Sequence, residues 1–175
     1  MTTAHLSTEQ IPIFDDRHEA GMLLGIRLMK FRDKNPVVLA IPPGGIAVGL
    51  EVALMLGADF DIAGDAGSLP LAAAHRRASR LQPLGGRLVI VVADGAPNDG
   101  AMQDVLRAAH ACGPSALVAA VPVGDPAAIE AIVREADEVV CLRMQQGLSS
   151  VRECYADQAA ARRRAPGFPL IGCPA

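Results

Sequence analysis

One stretch decides how this chain is expected to fold: RLVIVVADGAPNDGAMQDVL, residues 87–106. A run of branched apolar residues ends at Asp94-Gly95, small residues form a turn, and a segment with helical spacing follows. A continuous apolar run of this length is typical of a strand that is covered on both faces. A strand followed by a glycine-rich turn and a helix can present free backbone N–H groups to a phosphate. The stretch therefore predicts either a working phosphate-binding turn or one that has lost its functional side chains.

The rest of the chain repeats this alternation of strand and helix. The other strand-like runs are VVLAIP, DFDIAGD, ALVAAVPV and EVVCLRM, with helical segments between them. The first helix is expected to begin after Asp15 or Asp16, and Gly57 is expected to end the second. The stripe predicted to be buried on the first helix comprises Ala20, Leu23, Leu24, Ile26 and Leu28. Five short strands separated by helices predict an α/β fold, with a doubly wound, mostly parallel five-stranded sheet and helices on both faces.

The composition indicates one domain with an aliphatic core. Hydrophobic residues make up 51% of the 175 positions but aromatic residues only 3%, so Ala, Val, Leu and Ile must form the core. A chain of this length can bury roughly 70% of the surface that its unfolded form exposes. We expect residues 1–157 to form this single domain and residues 158–175 to form a C-terminal tail.

Charge and hydropathy argue against two classes of partner. The net charge is −3 and aromatic residues are scarce, so the chain lacks the basic surface and the stacking side chains that nucleic-acid binding needs. No apolar run approaches the roughly 20 residues of a membrane span. The four cysteines show no CxxC spacing, and a reducing, cytoplasmic location is predicted. The sequence thus predicts a protein without nucleic-acid or membrane partners.

Two glycine-rich turns lie where a doubly wound sheet binds its ligands, at the carboxyl ends of strands. They are PPGG at residues 42–45 and ADGAPNDG at residues 93–100. Around these turns the sequence resembles the type I phosphoribosyltransferases, especially a bacterial subgroup of stand-alone members. The matching segments follow the family's order and cover most of the chain; they are FDDRHEAGMLLGIRL, VVLAIPPGGIAVGLEVALMLGADFDI, RLVIVVADG, PSALVAAVPVGDPAAIEAIVREADEVVCL and VRECYAD. The resemblance implies transfer of a phosphoribosyl group from phosphoribosyl pyrophosphate to a nitrogenous base.

The resemblance implies a defined role for the third-strand loop, although several of its side chains are replaced here. In the family this loop carries two adjacent acids that hold ribose hydroxyls, often with Mg²⁺ nearby, and a Thr-Gly-x-Thr that holds the 5′-phosphate at a helix N-terminus. The corresponding substrate-binding candidates are Asp94, Gly95, Ala96, Pro97, Asn98, Asp99, Gly100 and Ala101. Asp94 is also the candidate Mg²⁺ ligand, and Ala93 replaces the first acid. Asp99 brings a carboxylate to the phosphate position, where two anions about 4 Å apart repel by ~1 kcal/mol in water and more in a partly buried site.

The first loop shows a similar loss. The subgroup usually has Pro-Arg-Gly-Gly facing pyrophosphate, and Pro43 replaces that Arg. The candidates for anion binding are Pro43, Gly44 and Gly45, with the two glycine amides as donors. The Pro42-Pro43 peptide is expected to be cis, because the family's loop often has a cis bond there and because cis before proline costs only about 0.5–1 kcal/mol.

The segment after the second strand is also reduced. The family expects a basic residue and then a long hood over the acceptor base, whereas this chain has Asp65 and a short connector. A missing hood makes it hard to exclude water from the reaction. The basic residues of the connector, His75, Arg76, Arg77 and Arg80, either supply the missing charge or form a solvated helix face.

Two interpretations of each loop remain open at this point. Asp94 is either a ribose or Mg²⁺ ligand or a cap of the following turn. Gly44-Gly45 is either an anion-binding nest or a tight turn required by packing. Two functions follow: a family member that binds phosphoribosyl pyrophosphate or a nucleotide with transfer weak or lost, and a non-catalytic scaffold, regulatory or assembly protein. No catalytic residue is identified, and a homodimer is expected because small sheets with apolar helices often dimerise.

Overall fold

The computed structural model describes residues 13–63 and 84–156 of the protein. In this part of the chain the α-helices and strands alternate as α1 (Arg17–Leu28), β1 (Val37–Ala40), α2 (Gly45–Leu56), β2 (Asp59–Ile62), β3 (Leu88–Val92), α3 (Ala101–His110), β4 (Ala116–Gly124), α4 (Pro126–Val133) and β5 (Glu138–Met144). Two 3₁₀ helices, Met29–Lys34 and Val151–Cys154, follow α1 and β5. The predicted order of elements is confirmed.

The strands form one five-stranded, all-parallel sheet in the order β2-β1-β3-β4-β5. β1 and β3 are neighbours, and their last residues, Ala40 and Val92, pair with each other. Because the strands are parallel, the turns that follow them start side by side at the carboxyl edge. The predicted fold class is confirmed, and it places both glycine-rich turns together.

Helices cover both faces of the sheet, as predicted. Leu24 of α1 belongs to a buried cluster with Ile90 of β3, on one face. Leu106 of α3 and Ile132 of α4 belong to a second cluster with Val91, on the other face. Alternate residues of β3 therefore enter different cores, which explains why this strand is apolar throughout. Each such aliphatic side chain contributes roughly 1.5–3 kcal/mol on full burial.

Helix α1 buries a different stripe from the one predicted. Its buried residues are Arg17, Ala20, Gly21, Leu24, Gly25 and Leu28. The prediction was wrong for Leu23 and Ile26, which are 42% and 58% exposed. The two glycines allow α2 to approach closely, since a Cβ added at Gly21 would lie 2.7 Å from Cβ of Glu51. A pattern based on apolar side chains does not register a helix face built on glycine.

The two ends of the described chain meet beneath the third-strand loop. Phe14 and Tyr155 form a parallel β-bridge, and their rings stack with centroids 5.7 Å apart. The amide of Phe14 donates to the carbonyl of Cys154 at 3.0 Å, and the amide of Ala156 donates to the carbonyl of Phe14 at 3.0 Å. Asp16 then caps α1, because its carboxylate accepts from the amide of Glu19 at 2.8 Å. This pairing brings the start of α1 next to Tyr155.

Several predictions concern segments outside the described residues. These are the C-terminal tail at residues 158–175, the hood position with Asp65, and the basic connector around residues 75–80. Among the described helices, none has both the length and the apolar character needed to cross a membrane.

Candidate functional site

The turn after β1 lies directly against the loop after β3. A Cβ added at Gly44 would lie only 1.8 Å from Oδ2 of Asp94, so no larger residue fits at this position while the carboxylate stays there. A Cβ at Gly45 would lie 2.8 Å from the carbonyl oxygen of Val92 and 3.0 Å from Cα of Ala93. The first glycine thus accommodates the Asp94 side chain, and the second allows α2 to pack against the end of β3.

The first loop, residues 41–45, retains few anion donors. Its Pro42-Pro43 peptide is cis, as predicted. Pro43 has no N–H, and the amide of Gly45 donates to the carbonyl of Ile41 at 3.0 Å. The Gly44 amide is therefore the donor that this loop could direct at an anion.

Asp94 forms a partly buried ion pair that connects the third-strand loop to α1. Nε and Nη2 of Arg17 donate to Oδ2 of Asp94 at 2.9 and 2.7 Å. The guanidinium lies over the ring of Tyr155, 4.5 Å from its centroid, and the Tyr155 hydroxyl donates to the Asp94 carbonyl at 2.5 Å. The Arg17 side chain is 3% exposed and that of Asp94 is 20% exposed. We call Arg17, Asp94 and Tyr155 the Arg–Asp–Tyr cluster. In this cluster Asp94 is an ion-pair partner.

The Arg–Asp–Tyr cluster keeps Tyr155 protonated. Burial raises the pKa of this phenol well above its ordinary value, and the neighbouring Asp94 carboxylate raises it further, although the Arg17 guanidinium opposes the shift. Burial likewise raises the pKa of the Cys154 thiol, so this cysteine is not a thiolate nucleophile. Tyr155 therefore serves as a hydrogen-bond donor to the loop backbone.

The base of the third-strand loop, residues 93–96, is held by backbone contacts. The amide of Ala96 donates to the carbonyl of Val123 at 2.9 Å, and its carbonyl accepts from the amide of Asp125 at 3.0 Å. A Cβ added at Gly95 would lie 2.7 Å from Cγ1 of Val151. These groups are used in packing and in pairing with the end of β4.

The tip of the same loop, residues 97–101, is exposed at Asn98, Asp99 and Ala101. Oδ1 of Asp99 accepts from the amide of Ala101 at 3.0 Å, and the Asp99 amide donates to the carbonyl of Pro97 at 2.8 Å. Gly100 has φ +82, a left-handed conformation that favours glycine, and it is the N-cap of α3. A carboxylate thus occupies the first amide of α3, at the position where the family resemblance implies the 5′-phosphate.

Asp94 is the one carboxylate of the third-strand loop base that could bind Mg²⁺, and it has no partner carboxylate beside it. Asp94 uses Oδ2 to bind a guanidinium, and Ala93 supplies no second carboxylate. Within residues 13–63 and 84–156, no group of three or more His, Cys, Asp or Glu side chains could hold a metal. Mg²⁺ binding through Asp94 stays a prediction.

Sequence reasoning missed Arg17 and Tyr155 as site residues. They lie 77 and 61 positions from Asp94 in the chain, so no local spacing connects them. One signal was present: Arg17 lies three and four positions before Ala20 and Gly21, on the side of α1 that is buried. A charged residue on a buried helix face requires a partner of opposite charge.

Two known proteins resemble this chain in sequence. It is 31% identical over 177 aligned positions, 74% of this chain, to two Mycobacterium tuberculosis proteins that each bear the name "Putative phosphoribosyl transferase". The chain spans 40% of the length of these relatives. No family model matches the sequence.

Solved structures share the fold. The protein TT1426 from Thermus thermophilus is similar with a TM-score of 0.68 and 30% identity, over 82% of this chain and 90% of that one. A hypoxanthine-guanine-xanthine phosphoribosyltransferase is similar in fold, with a TM-score of 0.53 and 20% identity over 75% of each chain.

Proposed function

The chain belongs to the type I phosphoribosyltransferase family, and on this premise we propose that it binds phosphoribosyl pyrophosphate or a nucleotide at the carboxyl edge of its sheet, with transfer to a nitrogenous base weak or lost. The observation that carries the proposal is the contact between the two loops, with Gly44 directly against Asp94. Helices α2 and α3 begin at these loops, and a helix N-terminus favours an anion. Arg17 contacts only Oδ2 of Asp94, so Oδ1 keeps capacity to accept from a ribose hydroxyl.

Loss of transfer follows from the groups that would stabilise the leaving pyrophosphate. Catalysis of this kind depends on donors and cations aimed at the developing charge. Pro43 offers neither an N–H nor a positive charge, and the Gly45 amide is already bonded to Ile41. Arg17, a buried cation that contacts the neighbouring loop, is paired with Asp94. The loops therefore support binding better than chemistry.

Isothermal titration calorimetry of the purified chain tests binding. Phosphoribosyl pyrophosphate and a nucleoside 5′-monophosphate are titrated separately, each with and without Mg²⁺. We expect dissociation constants below about 1 mM, or roughly 4 kcal/mol of binding free energy. If neither ligand binds at millimolar concentration, the proposal is contradicted.

A transfer assay tests the loss of activity. The chain is incubated with phosphoribosyl pyrophosphate, Mg²⁺ and each common purine or pyrimidine in turn, and nucleotide formation is followed by chromatography. We expect no more product than in the reaction without protein. Sustained turnover of any one base would show that Pro43 and Ala93 do not abolish catalysis.

One observation favours the second candidate function, a non-catalytic assembly protein. Helix α1 and the first residue of the 3₁₀ helix after it expose apolar side chains at helical spacing: Met22 is 48% exposed, Ile26 58% and Met29 38%. Such a stripe suits contact with another protein surface, including a second copy of the chain. Analytical ultracentrifugation of the wild type and of Ile26→Glu separates the two functions. A wild-type dimer that dissociates in the variant, together with calorimetric titrations that detect no ligand binding, would favour assembly over ligand binding.

A further inference from the structure

We infer that the Arg17–Asp94 ion pair is a specificity element that closes the first loop to pyrophosphate, so that the ligand of the proposed site is a ribose 5-phosphate monoester, such as a nucleoside 5′-monophosphate, in preference to phosphoribosyl pyrophosphate. The inference rests on the proposed function and narrows its ligand class. It follows from a difference in how the two carboxylates of the site are held.

The carboxylate of Asp94 is fixed in place. It accepts two N–H groups from Arg17 on one oxygen, and the backbone carbonyl of Asp94 accepts from Tyr155. The Arg17 side chain is 3% exposed and lies over the Tyr155 ring. Turning Asp94 away would leave a buried guanidinium without its counter-ion, which is strongly unfavourable.

This fixed carboxylate lies where it obstructs the first loop. Its Oδ2 and Oδ1 would lie 1.8 and 2.7 Å from a Cβ at Gly44, so the carboxylate fills the side-chain position of the residue that keeps a candidate amide donor. Asp94 is the more exposed partner of the pair, at 20% against 3% for Arg17. A diphosphate approaching Gly44 therefore meets the negative end of the ion pair first, in partly buried surroundings that strengthen the repulsion.

The carboxylate of Asp99 is held much more weakly. It is exposed, and its described contact is one hydrogen bond to the Ala101 amide. A ligand phosphate can replace this single contact at the start of α3 without breaking a buried pair. The start of α3 can therefore accept a phosphate monoester, whereas the first loop still excludes pyrophosphate.

The test compares inorganic pyrophosphate with ribose 5-phosphate by calorimetric titration of the full chain without Mg²⁺. The wild type is expected to bind ribose 5-phosphate about tenfold or more tightly than pyrophosphate. Asp94→Asn removes the carboxylate charge and keeps Arg17, so pyrophosphate affinity is expected to rise about tenfold. Asp99→Asn is the matched control: it removes the same charge from the tip and is expected to raise ribose 5-phosphate affinity without changing that for pyrophosphate.

Equal affinity of the wild type for the two ligands would overturn the inference, and this comparison requires no variant to fold. An equal effect of the two variants on pyrophosphate affinity would overturn it as well. A wild type that binds neither ligand contradicts the proposed function instead. In that case a gain of pyrophosphate binding in Asp94→Asn supports the inference that Asp94 excludes pyrophosphate from the first loop. No gain overturns that inference.

Discussion

The base and the tip of the third-strand loop are adjacent in sequence, yet they hold their carboxylates in opposite ways. Asp94 in the base is 20% exposed and bound by a guanidinium that is 3% exposed. Asp99 in the tip is exposed and accepts one amide hydrogen bond at 3.0 Å. Removing one partner from a buried ion pair is costly, whereas an exposed cap contributes about 1 kcal/mol. The carboxylate in the base of the loop is therefore fixed by a buried partner, whereas the one in the tip is held by a single exposed contact.

The largest effect is expected from Arg17→Met. The change leaves the Asp94 carboxylate without its counter-ion and should lower the free energy of unfolding by about 3 kcal/mol. Urea denaturation followed by circular dichroism measures this difference. Arg134→Met is the control, because Arg134 pairs with Glu130 on the surface, where the two side chains are 71% and 73% exposed. The control should change stability by less than about 1 kcal/mol, and similar losses in both variants would mean that the base is no more tightly held than a surface pair.

Gly44→Ala tests the contact between the two loops. The added Cβ would lie 1.8 Å from an oxygen that Arg17 holds in place, so the loops must separate. Overpacking of this kind should cost about 2 kcal/mol in the free energy of unfolding. Gly85→Ala is a matched control, since the nearest atom to its added Cβ would be the Cys112 carbonyl oxygen at 3.2 Å. A loss no greater than that of the control would show that Asp94 moves freely.

Tyr155→Phe removes the hydroxyl that donates to the backbone of the third-strand loop. Loss of its bond to the Asp94 carbonyl should lower the free energy of unfolding by about 1–1.5 kcal/mol, because a buried acceptor loses its donor. The same urea titration provides the measurement. An unchanged midpoint of urea denaturation would indicate that the hydroxyl does not stabilise the third-strand loop.

The same phenol gives the protein a dependence on alkaline pH. Its pKa is raised in the folded state, mainly by burial, so its contribution to stability is complete below the ordinary tyrosine pKa of about 10 and declines above it. The chain has one tyrosine, so near-ultraviolet phenolate absorbance reports on Tyr155 alone. We expect this absorbance to appear only as the protein unfolds at high pH. Ionisation of Tyr155 near pH 10 in the folded protein would contradict a buried Arg–Asp–Tyr cluster.

The smallest effect on stability is expected at the tip. Asn98→Thr combined with Asp99→Gly removes a negative charge from the phosphate position and restores a hydroxyl donor. Affinity for a nucleoside 5′-monophosphate should rise by up to about tenfold, with less than about 1 kcal/mol change in stability. Titration calorimetry and urea denaturation measure the two quantities. If affinity does not change, the tip no longer works as a phosphate cradle.

Sequence reasoning was successful where the signal is local. Continuous apolar runs predicted the strands, Gly57 marked the end of α2, and the two glycine-rich turns were assigned to one edge of the sheet. The buried stripe of α1 was predicted incorrectly at Leu23 and Ile26, because glycines form part of the real contact face. The roles of the loop residues as ligands stay predictions.

The sequence by itself determined the alternation of strands and helices and the residues available in each loop, because helix and strand periodicities are properties of neighbouring residues. Only the tertiary structure decided what Asp94 does. Its partners Arg17 and Tyr155 lie far away in the chain and reach it because Phe14 pairs with Tyr155 and α1 packs on α2. A carboxylate at the end of a strand can cap a turn, bind a ligand or form an ion pair. The packing of distant elements gives Asp94 its ion pair by placing a buried cation 2.7 Å from it.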